Sequence, residues 1–177
     1  LDSVRDISAT PARLSATLIA MHILVTASSK HGSTNEVADA IARRLEDAGH
    51  TADRIAPEDV TSVDAYDAVI CGSAVYILQW MDEAHDFMDR FSTQLENKPV
   101  WAFSVGMNGV PKHAPQDPTR IGPLLTRVSA IDLHSFAGRY TPSLLSLRER
   151  SVARLAGVVE GDFSDWDEIN EWTDSIL

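Results

Sequence analysis

The sequence predicts a doubly wound α/β domain: a parallel sheet with helices on both faces. Three observations carry this. Apolar runs of strand length alternate with helical stripes five times along a chain of 177 residues, the pattern that builds parallel sheets. The first run ends in a hydroxyl-rich loop with a glycine, Ser28-Ser29-Lys30-His31-Gly32-Ser33-Thr34, directly before a helical stripe. Two later runs end in Gly72-Ser73 and Gly106, and ligands of doubly wound sheets bind beyond the carboxyl ends of strands.

Each element has its own justification. His22 to Ala27 is short, apolar and bounded by turn residues, as a buried strand is. Val37, Ala38, Ile41, Leu45 and Ala48 recur at helical spacing, and Gly49 stops that helix. Thr51 to Ile55 is a weaker second strand, and Ala65 to Cys71 a third, closed by Gly72-Ser73. A second helical stripe runs from Trp80 through Ala84, Phe87, Met88 and Phe91 to Leu95. Pro99 to Val105 is the fourth strand, Pro118 to Val128 a third helix, and Ile131 to Ala137 the fifth strand. Ser164-Asp165-Trp166-Asp167 reads as a capping box before a last helix, with Trp166, Ile169, Trp172 and Ile176 on its inner side. The first twenty residues do not fit this pattern, and Met21 opens the first clear strand. Residues 1–20 are therefore expected to be an extension outside a single domain spanning 21–177.

Composition narrows the function. A net charge of -11 argues against nucleic acid, whose phosphates need a basic footprint. Arg outnumbers Lys and Asp outnumbers Glu, as either a GC-rich coding bias or adaptation to high salt would produce. One cysteine, Cys71, cannot form an internal disulfide, and a reducing, cytoplasmic setting is expected. Cys71 ends an apolar strand and reads as a packed thiol. The six histidines show no paired metal spacing, so no metal is expected. The acids after Glu160 read as a solvated helix face.

The loop over residues 28–34 has two readings. A helix N-terminus presents unpaired N–H groups and about half a positive charge. With the hydroxyls of Ser29, Ser33 and Thr34 and the tight turn Gly32 allows, it makes a phosphate cradle. Ser33 to Glu36 is equally a capping box that needs no ligand. The loop lacks both Gly-x4-Gly-Lys and Gly-x-Gly-x2-Gly, which leaves a mononucleotide rather than a dinucleotide.

Ser29-x2-Gly32-x-Thr34-x3-Ala38-x2-Ile41 resembles the phosphate-loop signature of flavodoxins, with Ala27 where Phe or Tyr is usual. The fuller string is similar to flavodoxin-domain, quinone-dependent protoporphyrinogen oxidases, as are residues 72–76, 103–116 and 160–169. The resemblance implies a five-stranded sheet of order 2-1-3-4-5 and FMN as cofactor. It implies that Ser29, Lys30, His31, Gly32, Ser33 and Thr34 hold the phosphate. Ser73, Ala74, Val75 and Tyr76 would approach the isoalloxazine edge through backbone groups, and Ser104, Val105, Gly106 and Asn108 would close the other side. Tyr76 can stack on the ring; Trp80 is either a second stacking partner or core. Asn108 is either a ring ligand or a turn residue. The implied activity is oxidation of protoporphyrinogen IX with a quinone acceptor, in haem biosynthesis. The flavin N5 would accept hydride, so no catalytic side chain is required. A flavodoxin-type electron carrier, docking basic partners on its acidic surface, is the alternative.

Two features exceed the simplest flavodoxin plan. The loop after the fourth strand is long and locally basic, with Lys112, His113 and Arg120; Lys112 and Arg120 are expected to orient the propionates of a porphyrinogen. An extra helix over residues 142–156 opens at Thr141-Pro142 and ends at Gly157, with leucines alternating with Arg148, Arg150 and Arg154. It either packs on the sheet with snorkelling arginines or lies on an anionic membrane surface at the inner face of the membrane.

Overall fold

A computed structural model describes residues 19–76, 79–106, 121–155 and 157–177. Strands β1 (His22–Ser28), β2 (Thr51–Arg54), β3 (Ala68–Tyr76), β5 (Val100–Gly106) and β6 (Asp132–Ala137) form a parallel sheet in the order β2-β1-β3-β5-β6. Counting these five alone, the order is 2-1-3-4-5, as expected. The short β4 (Gln79–Trp80) adds antiparallel to the end of β3, with Val75 opposite Trp80.

The central strands read as unbroken apolar runs because both their faces are covered. Side chains alternate across a strand, so Ile23, Val25 and Ile70 face one core while Leu24, Val69 and Cys71 face the other. The first core is closed by helices α1 (Ser33–Asp47) and α6 (Trp166–Ile176), through Val37, Ile41, Leu45, Ile169 and Trp172. The second is closed by α2 (Asp82–Arg90), α3 (Ser92–Leu95) and α4 (Gly122–Arg127), through Phe87, Met88, Leu95 and Leu124. Each fully buried Leu, Ile or Phe contributes roughly 1.5–3 kcal/mol. Cys71 is wholly buried, and burial pushes its thiol up.

Several boundaries differ from the expectation. β3 does not stop at Gly72 but runs to Tyr76, because Gly72 and Ser73 pair with Ala27 and Ser28 on one side and Phe103 and Ser104 on the other. A ladder on both edges outweighs glycine's poor strand propensity. The stripe from Trp80 to Leu95 is not one helix: Trp80 lies in β4, and α2 and α3 are separated at Phe91. Of the expected third helix, Pro118 to Val128, only the part from Ile121 falls within the described residues, and α4 begins at Gly122. Before α6, Asp165 is the N-cap, accepting from the N–H groups of Asp167 (3.1 Å) and Glu168 (3.0 Å). Trp166 is therefore the first helical residue, and it is 42% exposed rather than inward. The acids of this region are not simply solvated. Asp174 takes a bidentate pair from Arg44 (2.7 Å each), and Glu168 bonds His134 (2.9 Å).

The extra segment is a bounded excursion. A two-stranded antiparallel ladder, β7 (Arg139–Tyr140) with β8 (Gly161–Asp162), closes its base. Pro142 opens only a single 3-10 turn, Pro142–Leu144. Helix α5 (Leu147–Leu155) starts later, at a reciprocal box: Ser146 N–H donates to Glu149 (2.7 Å) and Glu149 N–H to Ser146 Oγ (3.3 Å). Its inner side meets a small separate core of Tyr140, Leu145 and Ala153, rather than the sheet.

Candidate functional site

Four strand ends converge on one hollow. β1 ends at Ser28, and the chain turns through residues 29–32 into α1. Gly32 is the N-cap of α1 at φ +92°, where a Cβ would strain the backbone. Its N–H donates to Ser29 Oγ (3.0 Å), which draws the loop into a compact turn.

Of the two readings of this loop, the capping box does not form. Ser33 is the first helical residue rather than the cap, and no side chain caps α1. Ser33 Oγ instead accepts from the Arg139 N–H (3.2 Å), and Glu36 pairs with the Arg139 guanidinium (2.5 Å). No side chain caps the first-turn N–H groups of this 15-residue helix. Ser29, Lys30, His31, Ser33 and Thr34 line the hollow from this side. Thr34 is 2% exposed. His31 has a buried Nε2 without a hydrogen-bond partner among the described residues.

Opposite the loop stand Ala74, Val75 and Tyr76 from β3 and Val105 and Gly106 from β5. Gly138 and Arg139, just past β6, complete the lining. Gly138 fits because a Cβ there would lie 2.7 Å from Val105 and 3.2 Å from Ser33 Oγ. The hollow is partly open to solvent. Its walls are mostly apolar and its floor is the uncapped start of α1. Those features suit a phosphate carrying a flat apolar ring, and they fit FMN.

Two cations stand at this site in an acidic protein. Arg139 is shared between Glu36 and, at 3.9 Å, Asp162. The Lys30 ammonium sits 3.9 Å from the centre of the Tyr76 ring and pairs with Glu149 of α5. Through that pair the Glu149 carboxyl, 10% exposed, is held down at about 2, first by Lys30 and then by the Ser146 N–H. The same bond raises the Lys30 ammonium.

The side chains of Ser73 and Ser104, two residues expected beside the ring, are engaged elsewhere, which leaves only their backbone groups for it. Ser73 Oγ donates to Ala74 O (2.9 Å) and accepts from the Met81 N–H (2.9 Å). Ser104 Oγ accepts from Trp80 Nε1 (2.9 Å) inside the core. Strand alternation puts both side chains on the α2 face, with Cys71 and Ala102, away from the hollow. Trp80, 3% exposed, is core rather than a stacking partner. Asn108, Lys112, His113 and Arg120 lie outside the described residues. Gly138 and Arg139 were missed in the sequence, although the rule that ligands sit beyond strand ends pointed to the end of β6 as well.

Comparison with known proteins agrees with this fold. The family model described as flavodoxin domain matches residues 24–166. The fold is similar to a flavodoxin from the domain Archaea, with a TM-score of 0.54 and 18% identity over 87% of this chain and 99% of that one. It is also similar to oxidised Flavodoxin 1 from Bacillus cereus, with a TM-score of 0.58 and 15% identity over 86% of this chain and 95% of that one. Rubredoxin oxygen:oxidoreductase from Desulfovibrio gigas matches with a TM-score of 0.54 and 14% identity over 87% of this chain. The chain spans only 36% of that longer protein. A search of curated proteins found no significant match.

Proposed function

The chain belongs to the flavodoxin domain family, and from that premise we propose that it is an FMN-dependent oxidoreductase of the quinone-dependent protoporphyrinogen IX dehydrogenase kind. Membership makes it an FMN-binding redox protein; the substrate and the acceptor are the proposal. The observation that carries the cofactor is the uncapped start of α1 behind Gly32, aimed into an apolar-walled hollow. The narrower reading is supported by the likeness of residues 72–76, 103–116 and 160–169 to flavodoxin-domain protoporphyrinogen oxidases.

The chain's own residues divide the work. Backbone N–H groups of the first turn of α1, with Ser29, Ser33 and Thr34, bind the phosphate. Lys30 and Arg139 offset its charge from either side. Tyr76, Val75, Val105 and Gly106 flank the ring and exclude water from it. Bound FMN supplies an acceptor of hydride or electrons at N5. Lys112 and Arg120 are proposed to hold the substrate's propionates at the rim, where a shielded charge pair orients more strongly than an exposed one.

The net charge of -11 favours a second reading, an electron carrier that docks basic redox partners and has no substrate of its own. Anaerobic mixing of the FMN-loaded protein with protoporphyrinogen IX separates the two. The dehydrogenase bleaches the oxidised-flavin absorbance, and a quinone then restores the spectrum and carries the oxidation through repeated flavin turnovers to porphyrin. No bleaching refutes the substrate and leaves the carrier. Recovery of FAD, or of no flavin after reconstitution at saturating FMN, refutes the cofactor as well.

A further inference from the structure

We infer that the outward face of α5 and the turn before it form a docking surface for an anionic lipid bilayer. Among the described residues nine large apolar side chains are exposed, and five of them lie between residues 144 and 159: Leu144 (55%), Leu147 (80%), Val152 (49%), Leu155 (90%) and Val159 (54%). At 100° per residue, Leu147, Leu155 and Val152 fall within about 140° of arc on α5, with Arg148 between them. The opposite side is spoken for. Ala153 packs on Tyr140 and Leu145, and Glu149 pairs with Lys30. The apolar outward face is therefore not the face that anchors the helix.

Charge selects the occupant. Residues 141–159 contain three arginines and one glutamate in a chain of net charge -11. Arg148, Arg150 and Arg154 are all exposed, and the glutamate is neutralised by Lys30. An exposed leucine face rimmed by arginines is the composition of a helix lying in a headgroup layer. Among the described residues no helix is long and apolar enough to cross a membrane, so the contact is peripheral. Leu144 and Leu145 also line a small hollow with His31 and Arg139, which sets the docked face beside the cradle. A hydrophobic electron acceptor dissolved in the bilayer would thus meet the protein near its redox site.

The test is sedimentation of the full-length protein with phosphatidylcholine vesicles, with and without phosphatidylglycerol. Wild type should bind the anionic vesicles, lose binding in high salt, and bind the neutral ones weakly. Each arginine near an anionic surface contributes roughly fivefold, so Arg148→Gln with Arg154→Gln should weaken binding roughly thirtyfold. Leu147→Ser with Leu155→Ser should weaken it at least about tenfold, through lost apolar burial. All four side chains are exposed, and circular dichroism of each variant verifies that the fold is kept. Equal binding to neutral and anionic vesicles, no binding to either, or binding unaffected by the leucine changes overturns the inference. Concentration-dependent dimerisation that the leucine changes abolish, without vesicle binding, also overturns it and assigns the face to a second copy.

Discussion

Thr34→Val keeps the side-chain volume at the second position of α1 and deletes only a hydroxyl. Thr34 is 2% exposed, lines the hollow, and makes no side-chain hydrogen bond among the described residues. Because the capping box is absent, the apo-protein should lose little, within about 0.5 kcal/mol. Against a bound phosphate the hydroxyl's bond is charge-assisted, about 1.5–3 kcal/mol, or roughly 10- to 150-fold in affinity. Linkage makes this visible in a melt. At a free FMN concentration about 100 times the wild-type Kd, the cofactor adds about 2.7 kcal/mol to stability. With the Kd raised about thirtyfold, the same concentration adds only about 0.9 kcal/mol. For a chain of this length the FMN-induced rise in Tm then falls from about 5–11 °C to about 2–4 °C. Titration by flavin fluorescence and thermal melts with and without FMN measure both quantities. Unchanged FMN affinity with an apo-protein destabilised by about 1 kcal/mol would refute the phosphate role and make Thr34 a structural residue.

Other sites give independent expectations. In Gly72→Ala, the new Cβ would fall 2.1 Å from the Phe103 ring, which is fully buried against Phe136 and Trp172. It should cost about 1–3 kcal/mol or more in a denaturant titration, and an unchanged midpoint would show that the ring is free to move. Glu149 binds its proton at about 2 in the fold against an ordinary value of 4.5, so its pairing stabilises the protein fully above 4.5 and is lost as pH falls toward 2. Wild type should exceed Glu149→Gln in protection of α5 from proteolysis at pH 7, and the gap should close through that window; a gap constant down to pH 2 would show that the Lys30 pair does not hold the helix. Glu36→Gln releases Arg139 from its carboxylate beside the cradle and should tighten FMN binding severalfold at low salt, less at high salt; weaker binding would show that Glu36 is needed to aim the guanidinium.

How much of this was written in the sequence follows from the range of each force. The five strands and the hydroxyl-rich loop at residues 28–34 were legible, because apolar periodicity, a glycine and a run of hydroxyls are local signals that any burial in this fold preserves; the strand order came from the family resemblance. The boundaries of β3 were not, because Gly72 is held in the ladder by partners some 45 residues before it and 31 after it. The family resemblance puts Ser73 and Ser104 beside the ring. The two-residue alternation that turns them to the α2 face was present in the sequence, but which face would carry the hollow was not. The choice between cradle and capping box was made from outside the loop. Arg139, 103 residues beyond Glu36, takes the carboxylate the box needs, and its backbone N–H takes Ser33. The docking of α5 likewise rests on Lys30 and Glu149, separated by 119 residues. The sequence by itself determined the elements and the chemistry each strand end offers. Only the tertiary structure decided which hydroxyls and charges are already spent on one another, because a hydrogen bond between distant segments exists only once the chain's closure has brought its two ends together.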